Sequence, residues 1–186
     1  MKRILYFGDV ISSLLAFVIK ILPKFFRHFL YDISSLIPTF LGVFFRAVIL
    51  KSLLLKCGKK LYVGRFVTIK NPHLLSVGDN VSFHEYCFVD AIAGIDIGDN
   101  VSIAHSSSLI SFDHQFSNEE LPIKYNKLKF SEINISDDVW IGSGVRILCG
   151  SHISSRTIIA AGSVVKGNIE SRYIYAGVPA KPKKRI

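Results

Sequence analysis

Hydrophobic positions along this chain keep a six-residue beat, with Ile at 135, 141, 147, 153 and 159 and mostly small or polar residues between them. A side chain that returns inward every six residues describes a coil of three short faces, so the pattern predicts a β-solenoid. From Ile135 to Val164 five such hexads follow one another without a gap. Four places after each lead residue stand Val139, Val145, Ser151, Thr157 and Ser163, small or β-branched side chains that suit a second, tighter inward position. Upstream the beat runs through Val63 and Ile69, then Val77, Phe83 and Val89, then Ile97, Ile103 and Leu109. Two-residue slips at Leu75 to Val77 and Ile95 to Ile97 predict adjusted corners. Gln115 to Asn134 keeps neither this beat nor a helical period, which predicts a loop extruded from one coil, a common carrier of function on a rigid scaffold. An ordinary sandwich of short strands is the competing reading, and five consecutive in-phase hexads weigh against it.

Before the solenoid the pattern changes. Residues 1–57 are dense in Leu, Ile and Phe and read as helical, with Asp9, Ser13, Lys20, Lys24 and Arg27 on one polar stripe and breaks at Pro23 and Pro38. The organisation expected is a hydrophobic basic helical segment at 1–57, a solenoid at 58–166 with its loop at about 113–134, and a C-terminal extension with a basic tail at 167–186. Residues 1–57 hold eight Lys or Arg against two Asp, a formal +6 of the chain's +9. A basic balance concentrated in an apolar segment points to an anionic membrane surface rather than to nucleic acid, for which no binding module is visible. Three placements stay open for the helices: lying in the membrane interface, spanning as a hairpin, or packed on the solenoid or a neighbouring subunit. From Ile33 to Leu50 only Arg46 is charged, but Pro38 and Gly42 interrupt the stretch. Cys57, Cys87 and Cys149 are odd in number and lack metal-ligand spacing, so they read as free thiols in a reducing compartment, Cys87 at an inward position.

Three segments carry a family resemblance: ValTrpIleGlySerGlyValArgIle at 139–147, IleAlaAlaGlySerValVal at 159–165 and AlaGlyValProAlaLys at 176–181. Together they resemble the hexapeptide-repeat acyltransferases, and within these the sugar O-acetyltransferases. The apolar N-terminal segment and SerPheHisGluTyrCys at 82–87 look more like the branch acting in bacterial surface-polysaccharide synthesis. The resemblance covers about residues 58–186. It implies a mainly β fold, a left-handed parallel β-helix, assembled as a homotrimer with active sites between adjacent subunits. The hand of the coil comes from the resemblance alone, since periodicity does not set it and parallel crossovers are usually right-handed.

Acetyl transfer from a thioester to an alcohol needs a base to draw off the hydroxyl proton. His114, in SerPheAspHisGlnPhe, opens the extruded loop and matches the catalytic histidine of the family. An imidazole with an ordinary value near 6.5 accepts a proton at neutral pH. His84 falls near the position where sugar acetyltransferases often carry an Asn beside the acceptor, so it is either an acceptor contact or a histidine on the coil surface. Asp113, Asp90 and Glu85 are open candidates for orienting His114, although neighbours on an extended chain point to opposite sides.

For the donor, the resemblance implies acetyl-CoA as co-substrate and no metal. Gly142, Ser143 and Gly144, with Ala161, Gly162 and Ser163, would let the pantetheine arm approach the backbone, and the amide near Ser143 would contact the thioester carbonyl. Lys166, Lys181 and Lys184 match or neighbour coenzyme-contacting positions, and Trp140 would flank the arm. The reading is therefore an acetyl-CoA-dependent O-acetyltransferase acting on a carbohydrate, free or lipid-linked, at the cytoplasmic face of the cell membrane. Rivals are N-acetylation of an amino sugar or a xenobiotic, a zinc-dependent solenoid hydratase whose ligand spacing His84, His105 and His114 do not match, and a membrane-anchored scaffold without catalysis.

Overall fold

The computed structural model describes residues 2–186, with Lys2–Asp9 by backbone alone, so that Asp9 of the polar stripe lies outside the described side chains. Three helices, α1 (Lys2–Ile19), α2 (Lys24–Ser34) and α3 (Thr39–Leu53), precede a run of two- to five-residue strands. The strands stack in three sheets, one per face of a left-handed parallel β-helix of six coils. Face 1 runs from Lys56–Cys57 to Asn168–Ile169, face 2 from Tyr62–Val63 to Tyr173–Ala176, and face 3 from Thr68–Lys70 to Val164–Val165. Pairing is parallel and in register, as in Val139, Trp140 and Ile141 opposite Thr157, Ile158 and Ile159.

Both inward positions of the hexad fill the core. Ile135, Ile141, Ile147, Ile153 and Ile159 are buried, as are Val139, Val145, Ser151, Thr157 and Ser163. The small inward hydroxyls are satisfied within the coil: Ser107 Oγ donates to the Gly142 carbonyl and Ser151 Oγ to that of Leu148. Each buried Ile contributes about 1.5–3 kcal/mol of transfer free energy, and every lead position is stacked on another of the same kind.

The three corners differ. Between faces 1 and 2, Asp79, Asp99 and Asp137 accept hydrogen bonds from the backbone N–H groups of Lys59, Asp79 and Asp99, a ladder that ties one coil to the next. The corner between faces 3 and 1 absorbs the irregularities. The first coil inserts a short 3-10 turn, Pro72–Leu74, there, and the third extrudes the long loop between Ser108–Ile110 and Ile133–Ile135. The corner between faces 2 and 3 is the most regular and is described below.

The helices close the open end of the coil. Carbonyls of the first coil have no coil beneath them, and a buried orphan carbonyl is costly. Arg46 of α3, 1% exposed, donates to the carbonyls of Val63, Ser34 and Ile37 at 2.9, 2.9 and 3.0 Å. Tyr31 of α2 donates its hydroxyl to the Val67 carbonyl at 2.9 Å, Arg27 reaches the Ser52 carbonyl, and Arg65 reaches that of Ser35. Part of the basic charge read above as directed at a membrane is thus spent on internal carbonyls. α1 turns Ala16 toward the protein and leaves Leu14, Phe17 and Val18 exposed. No helix among the described residues is long and apolar enough to cross a membrane.

At the far end, the stacking expected to finish at 166 continues through Ile169 and Tyr173–Ala176. The chain then reverses, and Lys181–Arg185 pairs antiparallel with Tyr173–Ala176. Pro182 and three lysines in this last strand discourage further pairing at the sheet edge.

Candidate functional site

Most of the predicted site residues converge on the corner between faces 2 and 3. Successive coils place there Gly64–Phe66, His84–Tyr86, Ala104–Ser106, Gly142–Gly144 and Ala160–Gly162, a vertical stack of three-residue turns. The third residue of each turn is left-handed, with φ of 58° at Phe66, 61° at Tyr86, 60° at Ser106, 67° at Gly144 and 70° at Gly162. Its amide donates to the coil before: Tyr86 to the Arg65 carbonyl, Ser106 to Glu85, Gly144 to His105 and Gly162 to Ser143, at 2.8–3.1 Å. At a coil spacing of about 4.8 Å, His84 in the second coil and Gly162 in the fifth lie about 14 Å apart along one edge.

The small residues of this corner have two separate reasons. A Cβ at Gly142 would meet the backbone of Ala161 and Ile159 at 2.6 and 2.8 Å, so its glycine is required by the stacking of coils. A Cβ at Gly144 or Gly162 would meet nothing within 4 Å, and these two glycines leave open backbone on the outside. Between them, Ser143 accepts from Gly162 through its carbonyl, while its amide makes none of the inter-coil bonds that the amides of Gly142 and Gly144 make. Trp140 stands on face 2, just before the corner, 54% exposed, and walls a cavity of about 390 Å³ with Asn100, Arg156, Ile158 and Ile186.

His114 lies elsewhere. The long loop folds part of itself into a two-stranded ribbon, Phe112–His114 against Leu128–Phe130, with His114 opposite Leu128. Asn126, buried at the base of the loop, accepts from the Asn118 amide and donates to carbonyls of Asn118, Leu121 and Pro122. The ribbon presents His114 exposed, its ring 6.4 Å from that of Phe112 in an edge arrangement. None of the three carboxylates weighed for orienting it does so within one chain. Asp113 accepts from the His114 backbone amide rather than from the ring; Asp90 is buried against Asn71 and the Ile92 amide; Glu85 accepts from the Tyr62 hydroxyl.

His84 is half-buried, its ring 5.3 Å from that of Tyr62. Tyr62 is pushed above its ordinary value by partial burial and by the Glu85 carboxylate. Neither Tyr62 nor Arg65 was singled out in the sequence, because their roles depend on which coil they face. Of the predicted basic residues, Lys181 sits opposite Ala176 and Lys184 opposite Ile174, both in the last strand at the edge of face 2. Lys166 follows Val164–Val165 at the other end of face 3 and is not part of this corner in the same chain. His105 lies exposed on the corner, and His152 faces Asn134 on face 1 at 3.2 Å. No group of three or more metal-ligating side chains forms among the described residues. Cys57 and Cys87 are pushed up to about 11 by burial.

One chain therefore carries an open backbone edge and an exposed imidazole on two different corners. No family model matches the chain. It is similar to a putative lipopolysaccharide biosynthesis O-acetyl transferase of Escherichia coli K12, 31% identical over 114 residues and 58% of each chain. A putative acetyltransferase of Dictyostelium discoideum is 30% identical over 142 residues, covering 76% of this chain and 73% of the relative. In fold it matches a hexapeptide-repeat-containing acetyltransferase of Vibrio cholerae O1 biovar eltor complexed with acetyl coenzyme A. The TM-score is 0.75 at 24% identity, over 83% of this chain and 82% of that one. The chain spans about half the length of several curated relatives it matches, between 44% and 59%.

Proposed function

This chain belongs to the hexapeptide-repeat acetyltransferase family, and on that premise we propose that it transfers acetyl from acetyl-CoA to a sugar hydroxyl. The observation that carries the reading is the pairing of an open, small-residue backbone edge at Ser143–Gly144 and Ala161–Gly162 with a histidine held outward by its own ribbon. The pantetheine arm lies along the open edge beside Trp140, and Lys181 meets phosphate. His114 accepts the hydroxyl proton as the sugar oxygen attacks the thioester carbonyl, the Ser143 amide faces the carbonyl oxygen as it gains charge, and the departing thiolate recovers the proton. His84 contacts the acceptor.

Because the imidazole and the open edge occupy different corners, the site is completed between neighbouring subunits of a homotrimer, the ribbon of one reaching the corner of the next. In that arrangement Lys166 of one subunit also has a route to the coenzyme held by its neighbour. The named role of the Escherichia coli relative supports a lipopolysaccharide or other surface-polysaccharide acceptor. The exposed Phe17, Phe25, Phe29 and Phe40 of the helices, with Lys20 and Lys24 between them, support a segment lying in the interface of the cytoplasmic membrane.

Thiol release from acetyl-CoA by the purified protein, with bacterial glycans, lipid-linked sugars and amino sugars as acceptors, tests the proposal. Release dependent on a hydroxyl acceptor and lost in His114→Ala is expected. Folded protein that neither binds acetyl-CoA nor transfers acetyl to any acceptor would overturn it.

A further inference from the structure

Two bulky side chains occupy backbone positions that their size disfavours. Phe66 and Tyr86 are left-handed, with φ of 58° and 61°, a conformation usual for Gly and Asn and strained for a ring-bearing residue. The equivalent positions in later coils hold Ser106, Gly144 and Gly162, so the fold does not require a ring there. The two rings stack on each other, centroids 5.3 Å apart and planes 21° from parallel. The Arg65 guanidinium lies 5.0 Å from the Phe66 centroid and is itself anchored on the Ser35 carbonyl. Tyr86 nevertheless stays 62% exposed. The stack is braced from the helical end of the coil and open on its Tyr86 side.

Polar groups flank it. His84 precedes Tyr86 by two residues, and Glu85, between them, accepts from Tyr62. A pyranose has an apolar C–H face that lies flat on an aromatic ring and a rim of hydroxyls that need donors and acceptors around it. Strain held at an exposed aromatic pair, where smaller residues would relieve it, points from the outlier toward use.

We propose that the Phe66–Tyr86 stack is a carbohydrate subsite, seating a sugar unit next to the one that is acetylated. The acceptor is then an oligosaccharide rather than a single sugar. This rests on the sugar-acceptor reading above and adds the size of the acceptor and the residues that select it. Tyr86 supplies the stacking face, and Phe66 with Arg65 holds that ring in place.

Binding, measured by calorimetry on the full chain, tests the subsite independently of transfer. The probes are maltotriose, lactose, chitotriose and a tetrasaccharide repeat unit, each against its constituent monosaccharides, with acetyl-CoA as a separate titrant. At least one oligosaccharide should bind about tenfold more tightly than its monosaccharides. Tyr86→Asn should remove that excess, leave acetyl-CoA binding unchanged, and hold or raise Tm, since Asn tolerates the left-handed backbone. The subsite is refuted if no oligosaccharide exceeds its monosaccharides, or if Tyr86→Asn keeps the excess. It is refuted equally if Tyr86→Asn lowers Tm or dissociates the oligomer, which would assign the rings to packing. Failure of acetyl-CoA to bind would instead count against the transfer reading.

Discussion

The corner between faces 2 and 3 is aromatic and charged where the helices cap the coil and nearly bare at the other end. In the first two coils it carries Arg65, Phe66, His84, Glu85 and Tyr86; in the fourth and fifth it carries Gly142, Ser143, Gly144, Ala160, Ala161 and Gly162. The backbone is alike in both, with one left-handed residue per turn and an inter-coil bond from the first amide of each turn. A repeated backbone with unlike side chains can bind unlike things along one edge. The bare end suits a long flexible arm that needs access to amides, and the dressed end suits a ligand recognised by its surface.

The comparison can be broken at either end. The largest effect belongs to the residue that lies on neither: His114→Ala should lower acetyl transfer by about 10²–10⁴-fold, as loss of a general base does. Tm and acetyl-CoA binding should stay in place, so a loss of coenzyme binding would make His114 a binding residue. Next is the cap. Arg46→Met leaves the Val63 and Ile37 carbonyls without donors inside the protein and takes from Ser34 one of its two, the other being the Ile37 amide, and urea denaturation should show a loss of about 3–5 kcal/mol. A neutral result would mean water replaces the guanidinium.

Smaller effects separate the glycines. Gly142→Ala forces a Cβ onto the Ala161 and Ile159 backbone and should cost about 1–3 kcal/mol of stability. Gly162→Ala meets open space and bears only the left-handed penalty, about 1–2 kcal/mol, but should raise KM for acetyl-CoA. Equal effects of both on KM would erase the distinction between stacking and access. A last effect is alkaline. Burial raises Cys57 and Cys87 from 9.0 to about 11, so the folded chain holds protons that the unfolded chain releases. Their contribution is full below pH 9 and is lost as pH rises from 9 through 11, measurable as a falling urea midpoint over that range.

The coil was legible because its period is dictated by sterics: an inward residue on one face must be followed, six places on, by an inward residue on the next face. Ile135 to Ile159 show this; at the two slips Leu75–Val77 and Ile95–Ile97 are not corners but strands of face 1, and the extra residues that shift the beat lie just upstream, at 71–74 and 91–94. The loop was visible as an interruption of the same period. Arg46 was not legible as a clamp, because the sequence records a charge without saying which carbonyls lack partners at the end of a solenoid. A lone arginine in an apolar stretch was the available signal. The tail, read as an extension, is a strand because an open sheet edge lies beside it, and LysProLysLysArg has no alternation that announces one. Residue-level geometry was the hardest to read. Nothing in AspHis at 113–114 says that the carboxylate takes the backbone amide, or that the imidazole and the open glycines would stand on different corners.

That separation is the centre of the account, and mixing tests it directly. His114→Ala removes the proposed base, and Gly162→Phe fills the open edge at a position whose backbone already holds Phe66 and Tyr86 in other coils. Each variant alone should be inactive. Unfolded together in equal amounts and reassembled, they should recover about one quarter of wild-type transfer, the share of head-to-tail contacts that pair an intact histidine with an intact edge. Reassembled mixed oligomers with no activity would contradict a site shared between subunits and place the reaction within a single chain.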